Sequence, residues 1–270
     1  MGSLRALWRT RTVLSLLIRR ELKVRYASSK LGYVWTILDP LLTCLVFWLI
    51  FGVIFAGRDN PEITPYIVFL IAGYLPWMAI SGSINEAAAA LNRESKLVRS
   101  TNLPRELWIL KVVGSKSMEL VFSIPVLLAF MLIFQKGFGP GIVYLPLAVV
   151  LMIVPIVGIG FALAPLCVLY RDLTRVVRIV MRLLFYMTPV LYPSERVTEA
   201  LAGNDSLAWV ADVYFLNPFV TVLDLYRTAI YDSLFPGWTA VAIASGVSLF
   251  LLVTGVTIFR RLEGAVLKEI

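Results

Sequence analysis

The chain has 270 residues, 59% hydrophobic and only 16% charged, with a mean hydropathy of +0.84. Soluble domains carry roughly a quarter charged residues, so this composition excludes an ordinary soluble enzyme and marks a polytopic membrane protein. Histidine is absent, which removes the commonest acid/base group and metal ligand, and in such a chain the net charge of +8 reports loop orientation before nucleic acid.

The first expected element is an interfacial helix over 11–26, RTVLSLLIRRELKVRY. Leu14, Leu17, Ile18, Leu22 and Val24 share one arc of its wheel, and Ser15, Arg19, Arg20 and Lys23 the other, as in a helix lying among headgroups. Glu21 and Arg25 fall four apart on the apolar arc and are placed to pair. This basic segment has no short apolar core before a small-residue cleavage site, so it does not read as a removable signal peptide.

Six apolar spans are expected at 36–56, 66–87, 107–134, 142–169, 176–192 and 238–259. The first is 21 residues long, about 31 Å as a helix and enough to cross a bilayer. Between the second and third lies NRESKLVRSTNLPREL, residues 92–107. Asn92 reads there as an N-cap with Glu94 in the first turn, and Pro104 closes the segment. Lys116 and Glu119 sit three apart in the third span and are placed to satisfy each other. Cys44 and Cys167 lie within apolar runs and read as small buried residues. Gly158 and Gly160 in the fourth span permit close helix packing, and Pro189 and Pro193 flank the end of the fifth.

Residues 207–231 are long enough for a seventh span, but Asp212, Asp224 and Arg227 interrupt them and Asn217-Pro218 breaks their middle. Lys and Arg number eight in 1–34, five in 92–111, four in 170–182 and three in 260–270, against one, one and two in 57–65, 135–141 and 193–237. Only six spans put all the basic segments on one face, which places both termini in the cytoplasm. The 194–231 region then becomes a re-entrant hairpin from outside, tolerable at membrane depth only against protein or water.

No GxxxxGK[ST] is present, nor any Gly-Lys pair, so there is no P-loop. Intramembrane charges are too sparse for a proton relay, and no carboxylate pair, Ser/His/Asp set or metal cluster suggests catalysis. A pore built this way borrows its energy from a partner.

Four stretches carry a resemblance: RRELKVRYASSKLGYVWTILDPLL (19–42), ESKLVRSTNLPRELWILK (94–111), VLYRDLTRVVRIVMRLLFYMTPVLYP (168–193) and LNPFVTVLDLYRTAIY (216–231). Together they resemble the ABC-2 type permeases, in particular the membrane subunits of polysaccharide ABC exporters that move O-antigen, teichoic acid or other lipid-linked glycans, with the nearest likeness to galactan exporters. The resemblance implies an all-α membrane domain of six spans acting as a homodimer with two copies of a separate P-loop ATPase, which alone binds ATP and Mg. It implies no catalysis in this chain, no metal and no nucleic acid. It also implies an interface helix at 11–26, the hairpin at 194–231, and a coupling helix at about 92–104. The last makes Asn92, Arg93, Glu94, Lys96, Leu97, Arg99, Ser100, Leu103 and Pro104 candidates for seating in the ATPase.

A glycan stacks its C–H faces on aromatic rings. Tyr33, Trp35, Trp48, Phe51, Phe185, Tyr186, Tyr192 and Tyr214 are the channel candidates, although Trp and Tyr also gather at membrane interfaces. Arg19, Arg20, Lys23, Arg25 and Arg171 suit a polyprenyl-linked pyrophosphate or ordinary lipid headgroups equally. An ABC-2 exporter of a drug or lipid, a membrane-embedded glycosyltransferase and an ion-coupled carrier stay open beside this reading.

Overall fold

A computed structural model describes residues 10–27, 32–54, 65–101, 103–201 and 208–269, and among these all regular structure is helical. The order is α1 (Arg11–Ala27), α2 (Trp35–Phe47, continued by a π turn over Trp48–Ile54), α3 (Tyr66–Arg93), α4 (Ser95–Ser100), α5 (Glu106–Ile133), α6 (Leu145–Leu169), α7 (Leu173–Met187), α8 (Glu195–Leu201), α9 (Ala208–Phe215), α10 (Pro218–Thr228) and α11 (Gly237–Glu269).

Among the described residues, four helices are long and apolar enough to cross a membrane: Tyr66–Arg93, Glu106–Ile133, Pro140–Leu169 (α6 with its leading 3-10 turn) and Gly237–Glu269. The other two expected spans are shorter. Trp35–Ile50 is a short apolar helix, and α7 has 15 residues, about 22 Å against a hydrocarbon core of about 30 Å. Pro189 ends α7: it bars Thr188 from the helical region, and Thr188 is extended at φ −93°, ψ 145°. At the other bounds α3 runs on past 87 to Arg93 and α11 past 259 to Glu269.

A helix that is apolar all round has to be wrapped by others, and α3 is that helix. Every residue from Ile67 to Gly73 is buried. The most extensive pairing is α6 with α11, and glycines permit it. A Cβ on Gly255 would lie 1.9 Å from the Gly158 carbonyl oxygen, and one on Gly158 would lie 2.5 Å from the Leu251 backbone. Without side chains at the crossing the two backbones touch, the small-residue contact on which membrane helices rely. Gly255→Leu is therefore expected to cost more than the ~1–3 kcal/mol of ordinary overpacking, because backbone must move. Thermal melting of the purified protein checks this, with Gly246→Leu, which faces open space, keeping the wild-type melting temperature.

The bundle has two distinguishable ends. At one, Asn92 Nδ2 donates to the Cys167 carbonyl (3.0 Å) and Arg105 pairs with Glu263 (2.6 Å); this is the basic end. At the opposite end Tyr66 Oη donates to the Leu191 carbonyl (2.8 Å), Tyr231 Oη to the Pro65 carbonyl (3.0 Å), and the Gly139 amide to the Ala229 carbonyl (2.9 Å). The described part of the 207–231 region forms two helices, α9 and α10. Asn217, expected as a break, caps α10: its side chain accepts from the Phe219 amide at 3.1 Å, with Pro218 in the first turn.

Candidate functional site

The inward face of α1 contains Leu14, Leu17, Ile18 and Leu22. Val24 does not join them. It is 64% exposed, because the arc centres on Glu21 and Arg25 and leaves Val24 at its edge. Ile18 seats against Gly114 of α5, where an added Cβ would come within 2.5 Å of Ile18 Cδ1. That contact holds the two charges of α1 against α3 and α5.

There they enter a lattice of eight charges. Arg25 donates to both oxygens of Glu86 (2.8 and 2.6 Å), lies 3.1 Å from Glu119 and meets Glu21 at 3.4 Å. Lys116 bridges Glu86 (2.9 Å) and Glu119 (2.8 Å). Lys111, only 3% exposed, reaches Glu21 (3.0 Å) and Glu94 (2.8 Å), and Arg93 closes the set on Glu21. Four carboxylates meet four cations, so the cluster is neutral and every charge has a partner, the condition for holding ions away from water. Burial alone would raise the Glu21 carboxyl, but Lys111 and Arg93 hold it down at about 2. Its contribution to stability is present above the unfolded value of 4.5 and fades only as pH falls toward 2. Beneath the lattice is a cavity of about 290 Å³ bounded in part by Arg25, Trp35, Asp39, Lys116 and Glu119.

The lattice runs directly into the 92–107 segment. Its helix is shorter than expected, six residues from Ser95 to Ser100. Asn92 does not cap it: α3 continues through Asn92, the turn comes at Glu94, and the Asn92 side chain instead ties α3 to α6. Glu94 is drawn inward to Lys111, and Val98 is buried beside Leu91, Trp108 and Ile109. Leu97, Leu103 and Pro104 are half-buried. Asn92, Arg93, Lys96, Arg99 and Ser100 are exposed. Among the described residues neither Lys96 nor Arg99 has an ion-pair partner. The result is a small basic knob on an anchored base.

The remaining candidates separate. Arg19, Arg20 and Lys23 are exposed on the outer side of α1 and Arg171 on the turn before α7, whereas Arg25 is committed to carboxylates and is not available as a headgroup contact. Trp35 and Tyr186 are exposed, and Trp48, Phe185, Tyr192 and Tyr214 are half-buried. The side chains of Tyr33 and Phe51 lie outside the described residues. Phe185 is the hub of a ring cluster with Phe47 (5.9 Å), Trp77 (6.0 Å), Tyr74 (6.3 Å) and Tyr186 (5.1 Å). Tyr192 donates to the Tyr186 carbonyl at 2.9 Å.

At the opposite end a second polar centre forms around Arg227, fully buried in α10. Its guanidinium donates to the carbonyls of Phe69 (3.3 Å), Pro189 and Val190 (2.7 Å) and lies 3.7 Å over the Phe69 ring. Gly73 makes room, since a Cβ there would lie 2.2 Å from Arg227 Nη2. Neither this arginine nor Lys111 and Glu86 as lattice members was evident from spacing. Their only sequence signal was a charge standing in an apolar run.

Comparison with known proteins adds a family and relatives. The family described as ABC-2 type transporter matches residues 12–231. The chain is similar to an O-antigen export system permease protein of Myxococcus xanthus, 31% identical over 97% of both chains. A protein of the same description from Klebsiella pneumoniae is 26% identical over 93% of this chain and 92% of its own. A polysialic acid transport protein of Escherichia coli is 26% identical over 94% of each.

Proposed function

Because the chain belongs to the ABC-2 type transporter family, we propose that it is the permease subunit of a polysaccharide exporter of the cytoplasmic membrane, driven by a separate ATPase. The curated relatives it matches along nearly its whole length are named for O-antigen export and polysialic acid transport. In this reading two copies of the chain form the conduit, two copies of a P-loop ATPase bind ATP and Mg, and both termini face the cytoplasm. The cargo is a glycan on a polyprenyl pyrophosphate, with a galactan precursor as the specific candidate. Channel aromatics belong to the same proposal.

One observation carries the reading: the knob of α4. It presents Lys96, Arg99 and Ser100 while Val98 and the Glu94–Lys111–Glu21 contacts fasten its base to α3, α5 and the interface helix. A push on such a knob moves three helices together, which is what a coupling element has to do. The chain holds no P-loop, so the push comes from outside it.

Gentle extraction of the tagged chain is expected to recover a P-loop ATPase at one copy per permease. Lys96→Glu with Arg99→Glu reverses the charge of the knob without touching the lattice. It is expected to lower that recovery roughly tenfold, as like-charge contacts at an interface do. An oligomer of this chain alone, exporting from proteoliposomes without ATP, would sink the reading.

A further inference from the structure

Arg175, Arg178 and Arg182 follow one another up α7, with Arg171 in the turn before it. At ~100° per residue the three helical arginines fall within ~60° of one another. All are exposed, and among the described residues no carboxylate pairs with any of them. The rest of α7 divides into two other faces. Val177 and Met181 are buried, and Val176, Ile179, Val180 and Leu183 form a second exposed face that is wholly apolar.

Together with the residues flanking it, α7 takes the chain from one end of the bundle to the other. It starts just after Cys167, which accepts from Asn92 at the basic end. Just past its last turn, Val190 and Leu191 meet Arg227 and Tyr66 at the opposite end. Arg175 lies near enough to the basic end to extend its guanidinium into water along the helix. Arg182 is about 13.5 Å from Leu173 and about 7.5 Å from Met187 at ~1.5 Å per residue, and a helical side chain leans back toward the N-terminus, away from the nearer end. A charge that deep, without a counter-charge, faces water or a bundle interior and not hydrocarbon. The two exposed faces of α7 therefore have different neighbours: lipid or protein against Ile179 and Leu183, water against Arg178 and Arg182.

We infer that the Arg175–Arg178–Arg182 face of α7 lines the aqueous conduit and binds oxyanions of the exported glycan, an inference that rests on the export reading above. Guanidinium forks take phosphate or carboxylate oxygens two at a time. Successive arginines about 5–6 Å apart at Cβ let an anion change partners before it lets go. A diphosphate at the end of the chain and acidic sugars along it supply the same chemistry, and the test separates them.

Arg182→Cys and Ile179→Cys are introduced into the complete permease–ATPase complex in membrane vesicles, where Cys44 and Cys167 are buried and form a silent background. Water-soluble methanethiosulfonates are expected to label Arg182→Cys roughly tenfold faster than Ile179→Cys, with Arg178→Cys as a second position should the first fold poorly. A cationic reagent should restore export and an anionic one should not. Inorganic pyrophosphate, oligogalacturonate and an uncharged maltooligosaccharide are then tried as protectants. Protection by pyrophosphate alone assigns the face to a phosphate end group, and protection by oligogalacturonate assigns it to acidic sugars along the chain. Equal protection by the neutral sugar, no protection by either anion, or equal labelling at 182 and 179 overturns the inference. Labelling needs no ATP, so a complex that labels and is protected but does not export would fail the export reading while leaving this face intact.

Discussion

Methionine in place of Arg227 is expected to lower the melting temperature sharply and to abolish export. The guanidinium satisfies three backbone carbonyls on two different elements, Phe69 in α3 and Pro189 and Val190 after α7, from a third, α10. Methionine fills similar volume but donates nothing, so those carbonyls lose their partner and buried Asp224, one turn earlier, loses the nearest positive charge. Removing one member of a buried charged arrangement costs about 3–5 kcal/mol, a large share of the ~5–15 kcal/mol by which proteins of this kind stay folded. Lysine keeps the charge but is a single point that cannot span three carbonyls, so Arg227→Lys should fall between. Gly73→Ala provides an independent check without touching the arginine, because its methyl would occupy the guanidinium's place. It is expected to melt like Arg227→Met. A wild-type melt for either variant would show that the α3–α7–α10 junction does not depend on this side chain.

Arg227 also shows where sequence reasoning stops. In the chain it is a charge that spoils an apolar run, and it counted against residues 207–231 as a span. Burial is what turns it into a staple, and burial depends on Gly73, which lies more than 150 positions away and carries no local signal of its role. The long apolar helices α3, α5, α6 and α11 were legible because about 20 apolar residues in a row leave few alternatives. Short α7 was less so, since its bounds depend on Pro189 acting on Thr188 and its arginines blur the hydropathy. At the basic end, the Glu21–Arg25 and Lys116–Glu119 pairs were legible at helical spacing. The contacts that join those pairs into one lattice, Arg25 to Glu86 across 61 positions and Lys111 to Glu21, are relations between helices that periodicity does not encode. Asn92 failed as a cap for a related reason. A helix can run through a good capping residue when its interior packing continues, and α3 does so as far as Arg93.

The second large effect is expected at Arg25, and it differs in kind. Among the described residues, Arg25 is the one residue of α1 that touches Glu86 of α3 and Glu119 of α5 together, with both terminal guanidinium nitrogens used on Glu86. Arg25→Met leaves four carboxylates against three cations in the lattice, and the excess repels α1 from the two helices it is fastened to. Charge-assisted hydrogen bonds contribute about 1.5–3 kcal/mol each, yet the site is partly open to water at its rim, so the loss in global stability should stay toward the low end of that range. The larger consequence is mechanical. Lys111, Glu94 and Val98 still hold the knob of α4 to α3 and α5, so the ATPase should bind and hydrolyse ATP. The interface helix no longer follows. Export per ATP hydrolysed is therefore expected to fall roughly tenfold or more while hydrolysis continues, measured side by side in proteoliposomes. Glu86→Gln in the same chain restores the balance of charge and should recover part of the loss, with a coupling energy of about 0.5–3 kcal/mol in the double-mutant cycle. If Arg25→Met lost hydrolysis and export in proportion, the lattice would be serving only to hold the fold. If it lost neither, α1 would move independently of the stroke.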